Sequence, residues 1–134
     1  LDIAKKISEG LARNAMAGKV DGEVKDLRYP IEKDCKLEIL TFDDEDGKKA
    51  YWHTTAHIMA QAVKRLYGES VKLTIGPSIE NGFYYDFDME SLDREALDKI
   101  EKEMKKIVKE GAELKRFTLP RNEAIEFMKK REEP

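Results

Sequence analysis

The sequence is poor in the residues that staple, break or anchor a small fold. Its 134 residues contain one cysteine, one tryptophan, two histidines and four prolines. A single cysteine excludes an internal disulfide framework. No apolar run approaches the roughly 20 residues of a membrane-spanning helix, and no signal-peptide pattern opens the chain, so a reducing cytoplasm and no membrane partner are the expectation. Neither sign of charge dominates. Twenty-five basic side chains against 28 acidic ones leave a net charge of −3, which does not suit a surface that grips nucleic acid by bulk charge; any RNA contact must be local. There is no internal repeat and no low-complexity tract.

What the chain does have is apolar content of 40%, enough for one modest core or two small ones, and a further 40% of charged residues. Leu1, Ile3, Ala4 and Ile7 already carry helical spacing at the very first residue with no methionine before them, so sequence is expected to precede Leu1. The spacing predicts a short helix over about 1–9 with Gly10 as its C-terminal cap. In "NAMAGKVDGEVKDL" the pair Asp21-Gly22 between two strand-like runs signals a hairpin. A further strand is expected at about 35–42, "CKLEILTF", where Cys35, Leu37 and Ile39 alternate with Lys36 and Glu38. Cys35 therefore reads as a small inward-facing hydrophobe rather than a reactive thiol. Ile3, Ile7, Cys35, Leu37 and Ile39 are expected to be buried together.

"DDEDGKK", residues 43–49, is polar and contains glycine, and reads as a mobile linker between two units. A long helix follows. Beyond it the pattern predicts a strand at about 71–75 and the turn-rich "GPSIENG", with Asn81-Gly82 marking a second hairpin. The strand "FYYDFD" then places Phe83, Tyr85 and Phe87 on one face. A helix over about 92–110 should start at Ser91, bury Leu97, Ile100, Met104 and Ile107, and stop at Gly111. Residues 112–119 read as another strand and "NEAIEFMKK" as a last short helix.

Both histidines lie in "YWHTTAHIMAQAVKRLYG". At about 100° per residue, His53 and His57 stand about 40° apart, beside the apolar face formed by Ala56, Met59, Ala60, Val63 and Leu66. Two imidazoles one turn apart can share a divalent metal or jointly hold a water. Two ligands are too few for either a structural or a catalytic zinc, and nothing in the spacing brings Cys35 or a carboxylate to them. Spacing alone leaves open whether the pair serves function or simply sits at the edge of the core.

"HTTAH" early in a helix, followed by "TIGPSIENGFYYDFD", resembles the start of the editing domain of the threonyl-tRNA synthetases. The upstream stretch "LDIAKKISEGLARNAMAGKVDGEVKDLRYPIEKDCKLEILTFDDEDG" resembles the TGS domain that precedes editing in that family. The resemblance implies an α+β chain: residues 1–44 as a β-grasp TGS unit lacking its first hairpin, and residues 45–134 as the first part of the editing domain. The family's editing site combines a His-x-x-x-His helix with a later Cys-x-x-x-His element. His53 and His57 match the first. No cysteine or histidine follows His57, so the chain is expected to stop before the second half of the site. Tyr85 matches a tyrosine near that site, and reads equally well as a half-buried strand aromatic. Gly76, Pro77, Asn81 and Gly82 read as turn chemistry near the pocket rim.

The function so implied is hydrolytic editing of seryl-tRNA in a parent enzyme that attaches threonine to its tRNA, with the acceptor end of the tRNA as partner. A metal at His53 and His57 is compatible with the resemblance and not required by it. No cofactor is expected in this stretch; ATP, Mg and Zn belong to a catalytic domain outside it, and the parent is expected to be a homodimer through such domains. Alone, this stretch is expected to be inactive. Two alternatives are a TGS-containing regulatory module that binds nucleotide or RNA, and a free-standing aminoacyl-tRNA deacylase; "HTTAH" disfavours the first and the TGS-like segment the second.

Overall fold

The computed structural model describes residues 1–131, and all their side chains except that of Glu69. Helices and small antiparallel sheets make an α+β chain. It divides into two compact units: Leu1–Thr54 with Ser78–Gly82, and Thr55–Pro77 with the chain from Phe83 on.

In the first unit the expected helix at 1–9 is two short helices, α1 (Asp2–Ile7) and α2 (Glu9–Asn14). Ser8 breaks them. Its backbone is extended and its Oγ accepts from the Leu11 N–H at 3.0 Å, so it caps α2 rather than continuing α1. Gly10 consequently sits inside a helix and caps nothing. Ala4 is the residue α1 buries, while Ile3 and Ile7 are 41% and 65% exposed. The expected burial of that pair is thus wrong in phase.

Three strands follow, β1 (Ala17–Val20), β2 (Glu23–Lys25) and β3 (Leu37–Leu40), in the order β2-β1-β3, all antiparallel. Asp21 (φ 47°) and Gly22 (φ 86°) form the hairpin turn, both in the left-handed region that this turn requires. Cys35 precedes β3, and Cys35, Leu37 and Ile39 are half-buried while Lys36 and Glu38 are exposed. The alternation holds, but the fully buried residue is Leu40, paired with buried Ala17 on the opposite face from Leu37 and Ile39.

The expected linker is largely helix. α3 runs Glu45–Tyr67, so the second half of "DDEDGKK" is its first turn. The Asp44 carboxylate accepts from the Thr41 N–H at 2.8 Å, and the Lys48 N–H donates to the Asp44 carbonyl at 2.9 Å. Glu45 and Asp46 favour the helix N-terminus electrostatically, and Asp46 pairs with Lys19 of β1 at 3.2 Å. Gly47 is buried, and a Cβ there would overlap the Thr41 carbonyl. The glycine that reads as flexibility is a close contact.

In the second unit Ala62, Val63, Val71, Ile100 and Ile107 form the buried centre, with Ile58, Met59, Tyr67, Phe87, Met89, Leu92 and Met104 packed around it. α4 (Arg94–Glu110) starts at Asp93, whose carboxylate accepts from the Ala96 N–H at 2.7 Å, and stops at left-handed Gly111 (φ 59°). Asp93, not Ser91, is the cap. Leu97, expected in the buried stripe, is 54% exposed. β4 (Lys72–Leu73) pairs antiparallel with β7 (Phe87–Asp88). β5 (Ser78–Ile79) and β6 (Gly82–Phe83) form the second hairpin, whose turn is Glu80-Asn81, one residue earlier than expected. Residues 112–120 form no strand, and α5 (Arg121–Lys130) closes the described chain as expected.

Candidate functional site

α3 exists because its sequence is rich in alanine and straight-chain residues, contains no proline, and carries Lys64 and Arg65 in its last turn, where they complement the helix dipole. The burial along it is one-sided. Ala56, Ala60, Ala62 and Val63 are buried, Ile58 and Met59 are half-buried, and His53 and His57 are exposed. The apolar face is set by small residues, which let α3 be approached closely and leave the imidazoles outside the core. His53 and His57 are one turn apart on a continuous helix, as the four-residue spacing requires. Both interact with other groups of the chain.

Tyr85 is half-buried, in step with half-buried Phe83 and Phe87 and exposed Tyr84 and Asp86. Its ring stacks on Phe87, with centroids 4.6 Å apart and planes 18° from parallel. The backbone on either side is tied down. Asp86 N–H donates to Ile75 O at 2.9 Å, Thr74 N–H donates to Asp86 O at 3.3 Å, and the Thr74 hydroxyl donates to the same oxygen at 2.6 Å. The two extended segments therefore stay paired beyond the short strands β4 and β7.

Gly76 is where the turn-chemistry reading fails. Its φ is not among the left-handed glycines, which are Gly22, Gly68, Gly82 and Gly111. A Cβ on Gly76 would instead overlap the Tyr85 ring, 2.9 Å from Cγ and nearer still to Cδ2 and Cε2. Space, not backbone angle, requires glycine there. The sequence signal was present in the period-2 placement of Tyr85 opposite the "TIG" segment, but only pairing register turns it into a contact.

Among the described residues, no three His, Cys, Asp or Glu side chains gather as a metal-binding group. Cys35 is half-buried in the first unit. No helix among the described residues is long and apolar enough to cross a membrane. An open groove of about 510 Å³, lined by Leu11, Asn14, Met16, Thr41, Phe42 and Asp43, lies in the first unit. It contains neither histidine.

The TGS domain model matches residues 1–41. The chain is 66% identical over 134 residues to a protein named threonine–tRNA ligase from Acetivibrio thermocellus, and that match covers 99% of the chain. Proteins of the same name from Caldanaerobacter subterraneus subsp. tengcongensis and Clostridioides difficile are each 58% identical over the same share. Over nearly its whole length the chain is similar to threonyl-tRNA synthetases. It spans about a fifth of the length of these curated relatives, 21% in each case. The similarity runs through both units: the TGS match ends at residue 41, before α3, while the synthetase match continues over the histidine helix, the paired segments around Tyr85, and α4.

Proposed function

We propose that this chain works within a threonyl-tRNA synthetase and contributes the His53–His57 half of a hydrolytic site that removes serine from threonine tRNA. The observation that carries the reading is the exposed pair one helical turn apart in "HTTAH", within a chain whose relatives bear the name threonine–tRNA ligase along nearly its whole length. Over residues 42–134 that likeness favours a synthetase over a regulatory TGS module or a free-standing deacylase.

The physical need is plain. A pocket built for threonine rejects serine poorly, because one missing methyl is worth about 1–3 kcal/mol. A second site must therefore discriminate in the other direction, excluding threonine by its extra bulk. At His53 and His57 an imidazole accepts a proton from a water. That water attacks the ester carbonyl joining serine to the 3′ end of the tRNA, and the ribose oxygen leaves with a proton. Tyr85, which matches a tyrosine near that site in the family, is assigned an orienting role. The second half, a Cys-x-x-x-His element in this family, lies outside this chain, so residues 1–134 alone should neither hydrolyse seryl-tRNA nor bind zinc tightly. ATP, Mg and Zn serve threonine attachment in a separate catalytic domain, the tRNA acceptor end is the partner, the enzyme is a cytoplasmic homodimer through other domains, and His53 and His57 do not need a metal.

The test is hydrolysis of preformed seryl-tRNA by the whole synthetase carrying His53→Ala or His57→Ala. Loss of a positioned acid–base group should slow it by roughly 10²–10⁴-fold. Unchanged hydrolysis in both variants would remove the histidines from the site.

A further inference from the structure

We propose that Gly76 is a positioning residue for Tyr85: its missing side chain is the space that the Tyr85 ring occupies, and that space fixes where the Tyr85 hydroxyl points. The proposal rests on the editing reading given above. It concerns a residue that supplies no chemical group of its own.

The geometry limits how the ring could yield. On one side Tyr85 is stacked on Phe87 at 4.6 Å, and Phe87 in turn packs against the buried centre formed by Val63, Val71, Ile100 and Ile107. A methyl group added at Gly76 would meet Cγ of the ring at 2.9 Å and two further ring carbons more closely. Real Cβ atoms do not approach this near, so either the ring or the backbone must move. The backbone is held on both sides of the contact, by Asp86 N–H to Ile75 O at 2.9 Å and by Tyr84 N–H to Pro77 O at 3.4 Å. Pro77 further restricts Gly76 from the C-terminal side. Movement therefore falls on Tyr85. An aromatic ring that turns about χ1 carries its hydroxyl by several times the displacement at Cγ, and a catalytic arrangement tolerates little: a misplacement of about 1 Å costs on the order of 100-fold.

A glycine needed for its backbone angle and one needed for its empty face make different predictions. The first kind fails whatever residue 85 is. The second becomes tolerant once the ring is gone. The experiment is therefore a double-mutant cycle in the whole synthetase with G76A, Y85A and the double variant, read as hydrolysis of seryl-tRNA beside threonine attachment, with H57A as the reference for loss of editing. G76A should slow seryl-tRNA hydrolysis by roughly 10- to 100-fold and leave threonine attachment intact. Y85A should also slow it, and adding G76A to Y85A should cost nothing more. Three results would overturn the proposal: G76A hydrolysing like the parent, G76A costing the same factor with and without the Tyr85 ring, or threonine attachment falling together with hydrolysis. If H57A itself hydrolyses seryl-tRNA normally, it is the editing reading that has failed, and the proposal fails with it; if H57A and Y85A are impaired and G76A is not, the fault lies with Gly76 alone.

Discussion

Arg65, near the end of α3, holds Glu110, in the last turn of α4, through two parallel bonds, Nη1 to Oε1 at 2.7 Å and Nη2 to Oε2 at 2.8 Å. Nη1 also reaches Glu103 Oε1 at 3.5 Å. The geometry is bidentate, yet this is a surface pair and its contribution to stability is modest. The guanidinium bond keeps the Glu110 carboxyl below its ordinary value of 4.5. A carboxyl lowered in the folded state stabilises the fold above its unfolded pKa and loses that effect as pH falls through its folded pKa. Arg65→Ala should lower the melting temperature by about 1–3 °C at pH 7, and the gap to the parent should close below pH 4.5. A gap independent of pH would assign Arg65 a packing role instead.

The phase of α4 is testable by contrast. Ile107 is 5% exposed and Leu97 is 54% exposed, although both fit the same helical spacing. Ile107→Ala should cost about 2–5 kcal/mol in denaturant unfolding, and Leu97→Ala no more than about 0.5 kcal/mol. Equal costs would restore Leu97 to the core.

Gly47 offers a test against intuition. In a helix interior, replacing glycine by alanine normally gains about 1 kcal/mol. Here the new methyl would overlap the Thr41 carbonyl, a backbone atom that cannot swing aside. Gly47→Ala should therefore destabilise, by about 1–3 kcal/mol if the helix start must shift. A stabilised variant would show that α3 does not begin against Thr41.

Proteolysis should report the same correction. Residues 43–49 read as a linker, but Glu45–Lys49 are helical, Asp44 just before them is bonded to Thr41, and Asp46 pairs with Lys19. Residues 112–120 are exposed and without helix or strand. Limited trypsin should cut first at Lys115 or Arg116 and only later at Lys48 or Lys49. First cleavage at Lys48 would reinstate the linker.

These cases show which parts of the molecule local patterns could reveal. The Asp21-Gly22 hairpin, the Gly111 stop of α4 and the alternation of Phe83, Tyr85 and Phe87 depend on backbone angles or on side-chain period, which neighbouring residues determine. The helix carrying His53 and His57 was legible for the same reason, and its family resemblance extended the reading to chemistry. Four features were not. Ser8 capping α2, the burial of Leu40 rather than Leu37, the exposure of Leu97 and the empty face of Gly76 all depend on what lies opposite a residue in space. A run of acidic residues before a helix is likewise ambiguous until its hydrogen bonds are seen, because the same composition solvates a loop or favours a helix N-terminus.

His53 and His57 are proposed to belong to an editing step separate from threonine attachment. The measurement closest to it offers the whole synthetase serine and threonine together and follows which amino acid ends on the tRNA, comparing the parent with His57→Ala. Threonine attachment should stay nearly intact while seryl-tRNA accumulates, since only one of the two chemistries uses the imidazole. If His57→Ala instead abolishes threonine attachment with no specific rise in seryl-tRNA, the pair is structural and "HTTAH" is the solvent-facing edge of a packed helix.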